Sequence, residues 1–195
     1  KRTLALNLKS INYFVSFFWI VIIMRVLLSS IFYFFLGGLS VMSFTFSNID
    51  GGNINTADWY GRPFLVVNTA SQCGFTKQYK DLQKLFETYR EAGLMVLAVP
   101  SNDFKQELKS NEAVKEFCEL DLGLDIPMTE ITSVKGPTAH PFFKWVKYET
   151  GFVPRWNFNK VLISAEGKLV ETYGSLSNPN GKRIRQDIEQ QLVYK

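Results

Sequence analysis

Two short apolar runs, one helix apart, constrain this chain more than anything else in it. Residues 64–70 (FLVVNTA) and 94–99 (LMVLAV) are continuous rather than alternating, so each reads as a strand covered on both faces. Between them, residues 78–92 set Tyr79, Leu82, Leu85, Phe86 and Tyr89 at helical spacing, and Gly93 ends the helix. Two such strands joined by a helix pair in parallel and start a sheet.

The rest of the chain extends that sheet. Residues 44–55 read as a short hairpin around Asp50-Gly51-Gly52, and residues 59–63 as a turn. Helices are expected over residues 111–122, capped by Ser110 or Asn111, over 141–150, and over 180–193 at the end. Residues 161–164 and 169–172 form two strands joined by Ala165-Glu166-Gly167-Lys168, an antiparallel hairpin. The order β-α-β, helix, β-β-α predicts an α/β chain of thioredoxin-like architecture, a central mixed sheet with flanking helices. Its reactive group lies where the first central strand meets its helix, here Ser71-Gln72-Cys73-Gly74-Phe75-Thr76.

Ahead of this body, residues 11–24 (INYFVSFFWIVIIM) and 26–42 (VLLSSIFYFFLGGLSVM) are apolar runs interrupted by Arg25. About 20 apolar residues cross a bilayer as one helix, and the remaining domain is too small to wrap a helix apolar all round. Residues 1–42 are therefore expected to be a leader, either an export signal or a membrane anchor, and residues 43–195 the folded domain. Met24-Arg25 and the apolar run after them have the shape of a signal peptide, which makes Met24 a candidate start. An exported (periplasmic) or membrane-anchored location is expected over a cytoplasmic one. Four of the 22 basic side chains and none of the 18 acidic ones lie in residues 1–42. The body is thus neutral and carries no electrostatic footprint for nucleic acid.

Two cysteines and one histidine exclude a disulfide framework, a four-cysteine zinc site and multi-histidine metal centres, while leaving a Cys-His-Asp triad open. No metal or cofactor is expected. His140, just before Pro141 at a helix start, reads as structural. Cys73 sits where strand gives way to helix, and helix N-termini favour the thiolate, the nucleophilic form. Thr76 stands where a dithiol oxidoreductase has its second cysteine, so one activated thiol remains rather than an exchanging pair.

The stretch Val67-Asn68-Thr69-Ala70-Ser71-Gln72-Cys73-Gly74-Phe75-Thr76 resembles the signature around the peroxidatic residue of the glutathione peroxidase family. The resemblance continues through residues 99–107 (VPSNDFKQE), 135–143 (KGPTAHPFF) and 156–162 (WNFNKVL), in order, over the whole body and none of the leader. Residue by residue it implies a catalytic set of Cys73, Gln106, Trp156 and Asn157. Such donors, aimed at one point, would stabilise a thiolate and the oxyanion leaving a cleaved O–O bond, with no histidine base. Lys105 stands where the family usually has a glycine after the phenylalanine, in a loop about one residue shorter. The short segment 147–155 lacks the long insertion of tetrameric animal members, so a monomer is expected.

The resemblance implies a cysteine-containing thiol peroxidase that reduces hydrogen peroxide and organic hydroperoxides through a sulfenic acid on Cys73, in defence against oxidative stress. Thioredoxin or glutathione would be the reductant. The short loop is typical of thioredoxin users, and no arginine cluster surrounds Cys73 to grip glutathione. Cys118 is the candidate resolving cysteine, with a buried core thiol as the alternative. Plant-type relatives place theirs in this region, one residue closer to the proline matching Pro127. The competing reading is a non-enzymatic or thiol-exchange thioredoxin-like module held at a membrane.

Overall fold

The computed structural model describes residues 42–192. The leader expected over residues 1–42, whether signal peptide or anchor, lies outside the described residues but for its last position. Among the described residues no helix is long and apolar enough to cross a membrane.

The elements run β1 (Thr45–Ser47), β2 (Asn53–Asn55), a 3-10 turn (Thr56–Trp59), β3 (Phe64–Thr69), α1 (Gln78–Tyr89), β4 (Met95–Pro100), α2 (Asn111–Glu116), α3 (Pro141–Thr150), β5 (Lys160–Ile163), β6 (Leu169–Tyr173) and α4 (Lys182–Leu192). β1 and β2 form the expected hairpin. The main sheet has the order β4-β3-β5-β6. β3 and β4 are parallel, Phe64 opposite Met95 and Thr69 opposite Pro100. β5 runs antiparallel to β3 and pairs on its other edge with β6. This is the expected mixed sheet, with β3 in the middle.

β3 is buried along its whole length, apolar from Phe64 to Val67 and closing on the buried polar residues Asn68 and Thr69, because both of its faces are covered. Leu65 and Val67 enter one core, with Tyr79, Leu82 and Leu85 of α1, Val114 of α2, and Ile184 and Ile188 of α4. Phe64 and Val66 enter a second core on the opposite face, with Phe46, Trp59, and Phe142 and Val146 of α3. His140 has the structural place expected of it. Its Nδ1 accepts from Phe142 N–H at the start of α3, its ring stacks on Phe46 at 3.9 Å, and its Nε2 lies 2.9 Å from the Thr45 carbonyl oxygen.

Several bounds shift by a few residues: α1 ends at Tyr89 rather than 92, and α4 begins at Lys182 rather than 180. Two differences bear on the site. The helix expected over 111–122 is α-helical only to Glu116. Residues Phe117–Asp121 form a π turn that holds Cys118, because Leu122 N–H bonds back to the Phe117 carbonyl and widens the last turn. β5 begins one residue early, at Lys160, which is wholly buried although its side chain is ionisable.

Candidate active site

β3 ends on Asn68 and Thr69, and the chain then folds through consecutive turns before α1 begins at Gln78. Cys73 is thus five residues ahead of the helix, not on its first turn. The field of α1 falls off within about one turn, and the hydrogen-bond donor to the sulfur is a backbone amide of the turn itself. Phe75 N–H donates to Cys73 Sγ at 3.4 Å. Thr76, at the position a second thiol would occupy, braces the turn. Its Oγ1 accepts from Cys73 N–H at 3.0 Å and lies 2.7 Å from the Cys73 carbonyl and 3.0 Å from that of Ala70. Cys73 itself is only 8% exposed.

Two of the four residues of the expected set, Gln106 and Asn157, are in direct contact, and the Gln106 loop is tied by its backbone to the turn that carries Cys73. Gln72 N–H, beside Cys73, donates to the Gln106 carbonyl at 2.9 Å and fixes the Gln106 loop against the Cys73 turn. Asn157 Nδ2 donates to Gln106 Oε1 at 3.0 Å, so the two amides are linked. Asn157 is wholly buried, and its Oδ1 has no partner. Its amide is spent partly on orienting Gln106. With Oε1 taken, Gln106 has its Nε2 left to donate. Trp156 is 39% exposed, so it is not a core aromatic. Its ring leans on Phe104 at 5.5 Å, from the loop that carries Gln106.

The backbone of the Trp156–Asn157 segment is held by the sheet. Asn68 Nδ2 donates to the Trp156 carbonyl at 3.0 Å, and Asn68 Oδ1 accepts from Asn159 N–H at 3.0 Å. Two non-glycine residues have left-handed backbones among the described residues, Lys105 (φ 58) and Phe158 (φ 61). They adjoin Gln106 and Asn157. Lys105 therefore adopts the conformation that the family's usual glycine would take freely, and the shorter loop still brings Gln106 to Asn157.

Cys118 shares the first core with Cys73 and is wholly buried. Burial pushes its thiol up to about 12; the Tyr79 hydroxyl opposes the shift and the Glu107 and Glu119 carboxylates add to it. Both cysteines are free. Among the described residues no group of three metal-ligating side chains gathers.

Two functional candidates escaped the sequence reading. Glu107 is 5% exposed. Its Oε1 accepts from Ser71 N–H at 3.0 Å and Leu108 N–H at 2.8 Å, tying the Gln106 loop to the turn that carries Cys73. Burial raises its carboxyl above the usual range. Lys160 is the second. The sequence marks them only as a charge beside a motif residue and a charge at the head of an apolar strand.

The sequence model for glutathione peroxidase matches residues 41–147. A hydroperoxy fatty acid reductase of Synechocystis is 38% identical over 164 residues, 78% of this chain and 96% of that protein. The glutathione peroxidase-like peroxiredoxin 2 of Saccharomyces cerevisiae is 38% identical over 138 residues, 68% of this chain and 84% of that protein. Among solved structures, the crystal structure of Trgpx in apo form superposes with a TM-score of 0.63 at 28% identity, over 77% of this chain and 94% of that one.

Proposed function

The chain belongs to the glutathione peroxidase family, and we propose from that premise that Cys73 is the nucleophile with which it reduces hydroperoxides. The protein is a thiol peroxidase. The Cys73 thiolate attacks one oxygen of the O–O bond, the sulfur becomes a sulfenic acid, and the other oxygen leaves as water or alcohol after taking a proton. Gln106 Nε2, the second N–H of Asn157 and the Trp156 indole are the donors for the thiolate and the leaving oxygen. The carrying observation is the Asn157–Gln106 hydrogen bond, by which a buried amide orients a half-buried one beside the Cys73 turn.

Cys118 resolves the sulfenic acid. A thiol pushed up to about 12 is almost wholly protonated at neutral pH, and so is inert in place. The π turn that holds it is a weak point, followed by Gly123 with φ 65. Unwinding there would expose Cys118, restore an ordinary thiol and let it approach Cys73, since a disulfide needs Cα atoms within about 7 Å. The resulting Cys73–Cys118 disulfide suits thioredoxin over glutathione as reductant. The domain acts as a monomer, and residues 1–42 carry it to or across a membrane.

Peroxide consumption by the purified protein, with thioredoxin or glutathione supplied in turn, tests this reading. Mass spectrometry after one equivalent of peroxide should find the Cys73–Cys118 disulfide. A stable sulfenic acid or glutathione adduct on Cys73, with Cys118 free, would replace the resolving step by a one-cysteine mechanism. N-terminal sequencing of membrane and soluble fractions tests the leader: intact, soluble, cytoplasmic protein would contradict it.

A further inference from the structure

Lys160 is buried at the head of β5, three residues after Asn157. Its Nζ donates to Gln78 Oε1 and to the Ser177 carbonyl, both at 2.6 Å. Among the described residues no carboxylate lies within salt-bridge distance of it. Burial depresses the ammonium to about 7, with Asp81 opposing the shift. A methionine there would cost far less, because a buried ammonium is tolerated only for what its hydrogen bonds hold.

What they hold is both halves of the active site. Gln78 is the first residue of α1, and its backbone N–H bonds to Phe75, the residue whose own N–H donates to Cys73 Sγ. Gln78 Nε2 donates to the Ser175 carbonyl at 2.7 Å. Ser175 Oγ accepts from Asn159 Nδ2 at 3.0 Å, and the same Nδ2 donates to the Trp156 carbonyl at 2.6 Å. An unbroken path of hydrogen bonds thus runs from Lys160 through Gln78, Ser175 and Asn159 to the backbone of Trp156. It ties the start of α1, which supports the Cys73 turn, to the segment that presents Trp156 and Asn157.

We propose that Lys160 is a positioning residue for the peroxide step, locking the Trp156–Asn157 segment to the Cys73 turn through Gln78 and Ser175. It rests on Cys73 being the nucleophile, which mass spectrometry of the parent protein tests separately by locating the oxidised sulfur.

The experiment measures the two half-reactions apart in Lys160→Met, Gln78→Met and the double variant. Stopped-flow mixing with hydrogen peroxide gives the oxidation rate constant, and dithiothreitol gives the rate of reduction of the oxidised protein. Each single variant should lose about tenfold in oxidation, a misplacement of one part of a preorganised site. Reduction should stay within twofold. The double variant should lose no more than either single one, because the two substitutions cut the same path. A fall in thermal stability with the oxidation rate of the folded protein within twofold of the parent would make Lys160 merely structural. Multiplicative losses, or equal losses in both half-reactions, would also overturn the proposal. If Lys160→Met does not fold, Gln78→Met alone decides, by the same split between half-reactions.

Discussion

Asn157→Asp, set against Asn157→Ala, separates a hydrogen-bonding role from a packing role with unusual clarity. Asn157 is wholly buried and donates from Nδ2 to Gln106 Oε1. Aspartate has nearly the same shape but no donor. Gln106 would then turn its own Nε2 toward the new carboxylate and present Oε1 to the sulfur, replacing an attractive dipole by a repulsive one. The carboxylate also puts a like charge near a reacting thiolate, which disfavours that thiolate. Alanine, by contrast, leaves a cavity and frees Gln106. Releasing a long side chain forfeits up to about 1.5–2 kcal/mol of preorganisation, or up to about ten- to thirtyfold in rate. Losing one donor of a preorganised site adds about 2.7–4 kcal/mol where that donor reaches the developing charge. The oxidation rate constant should therefore fall at least tenfold in Asn157→Ala and further still in Asn157→Asp, with the aspartate variant's pH–rate profile moved to higher pH. Stopped-flow fluorescence with hydrogen peroxide measures both, and circular dichroism checks the fold. A packing role orders them oppositely, since the isostere fills the cavity. Asn157→Asp reacting faster than Asn157→Ala would refute the reasoning.

Cys73→Ser should abolish peroxide turnover with the fold intact, whereas Cys118→Ser should keep the oxidation rate within twofold, stop at the sulfenic acid and lose turnover with thioredoxin; activity surviving in Cys73→Ser would overturn the assignment. Glu107→Gln keeps an acceptor for Ser71 and Leu108 while removing a buried charge. Because burial raises the folded carboxyl above its ordinary value of 4.5, ionisation of Glu107 costs stability as pH rises from that value through the raised one. The variant should melt higher than the parent at pH 7–8 and lose its advantage below about pH 4, as calorimetry across pH would show; an advantage unchanged at acid pH would refute the linkage. Lys105→Ile should lose about 1–2 kcal/mol, since a β-branched residue tolerates a left-handed backbone poorly, and should slow oxidation by displacing Gln106. Lys105→Gly should do neither, and equal denaturation midpoints for the two variants would contradict the strain.

The mixed sheet was legible because its strands carry one signal each: mostly apolar runs at 64–70 and 94–99, then a hairpin with its own turn. The candidate site was legible for a different reason. Its residues lie in loops, where periodicity says nothing, and only the resemblance of whole motifs singled out Gln106, Trp156 and Asn157. What escaped both readings depends on partners distant in sequence. Lys160 looks like a charged strand edge until Gln78, 82 residues earlier, is seen beneath it. Glu107 looks like a solvated loop carboxylate until Ser71 and Leu108 are found donating to it. The π turn at Cys118 is a local shift in backbone hydrogen bonding, which no helical periodicity records.

The two left-handed residues give the site its physical logic. A non-glycine residue in that conformation costs about 1–2 kcal/mol, and among the described residues it is accepted only at Lys105 and Phe158. Each adjoins one member of the amide pair. Phe158 is also wholly buried and packs edge-on against Tyr79 of α1 at 5.4 Å. Packing therefore fixes the reversal that turns Asn157 toward Gln106. Lys105 has no such packing and is exposed; its conformation is imposed from either side, by the Lys105 N–H bond to the Asn102 carbonyl and by the Gln72 N–H bond to the Gln106 carbonyl. The strain is thus held by the core on the Asn157 side and by backbone hydrogen bonds on the Gln106 side. Loosening the second set should misalign the amides before it unfolds the protein, which makes the Gln106 loop the side of the amide pair most easily disturbed.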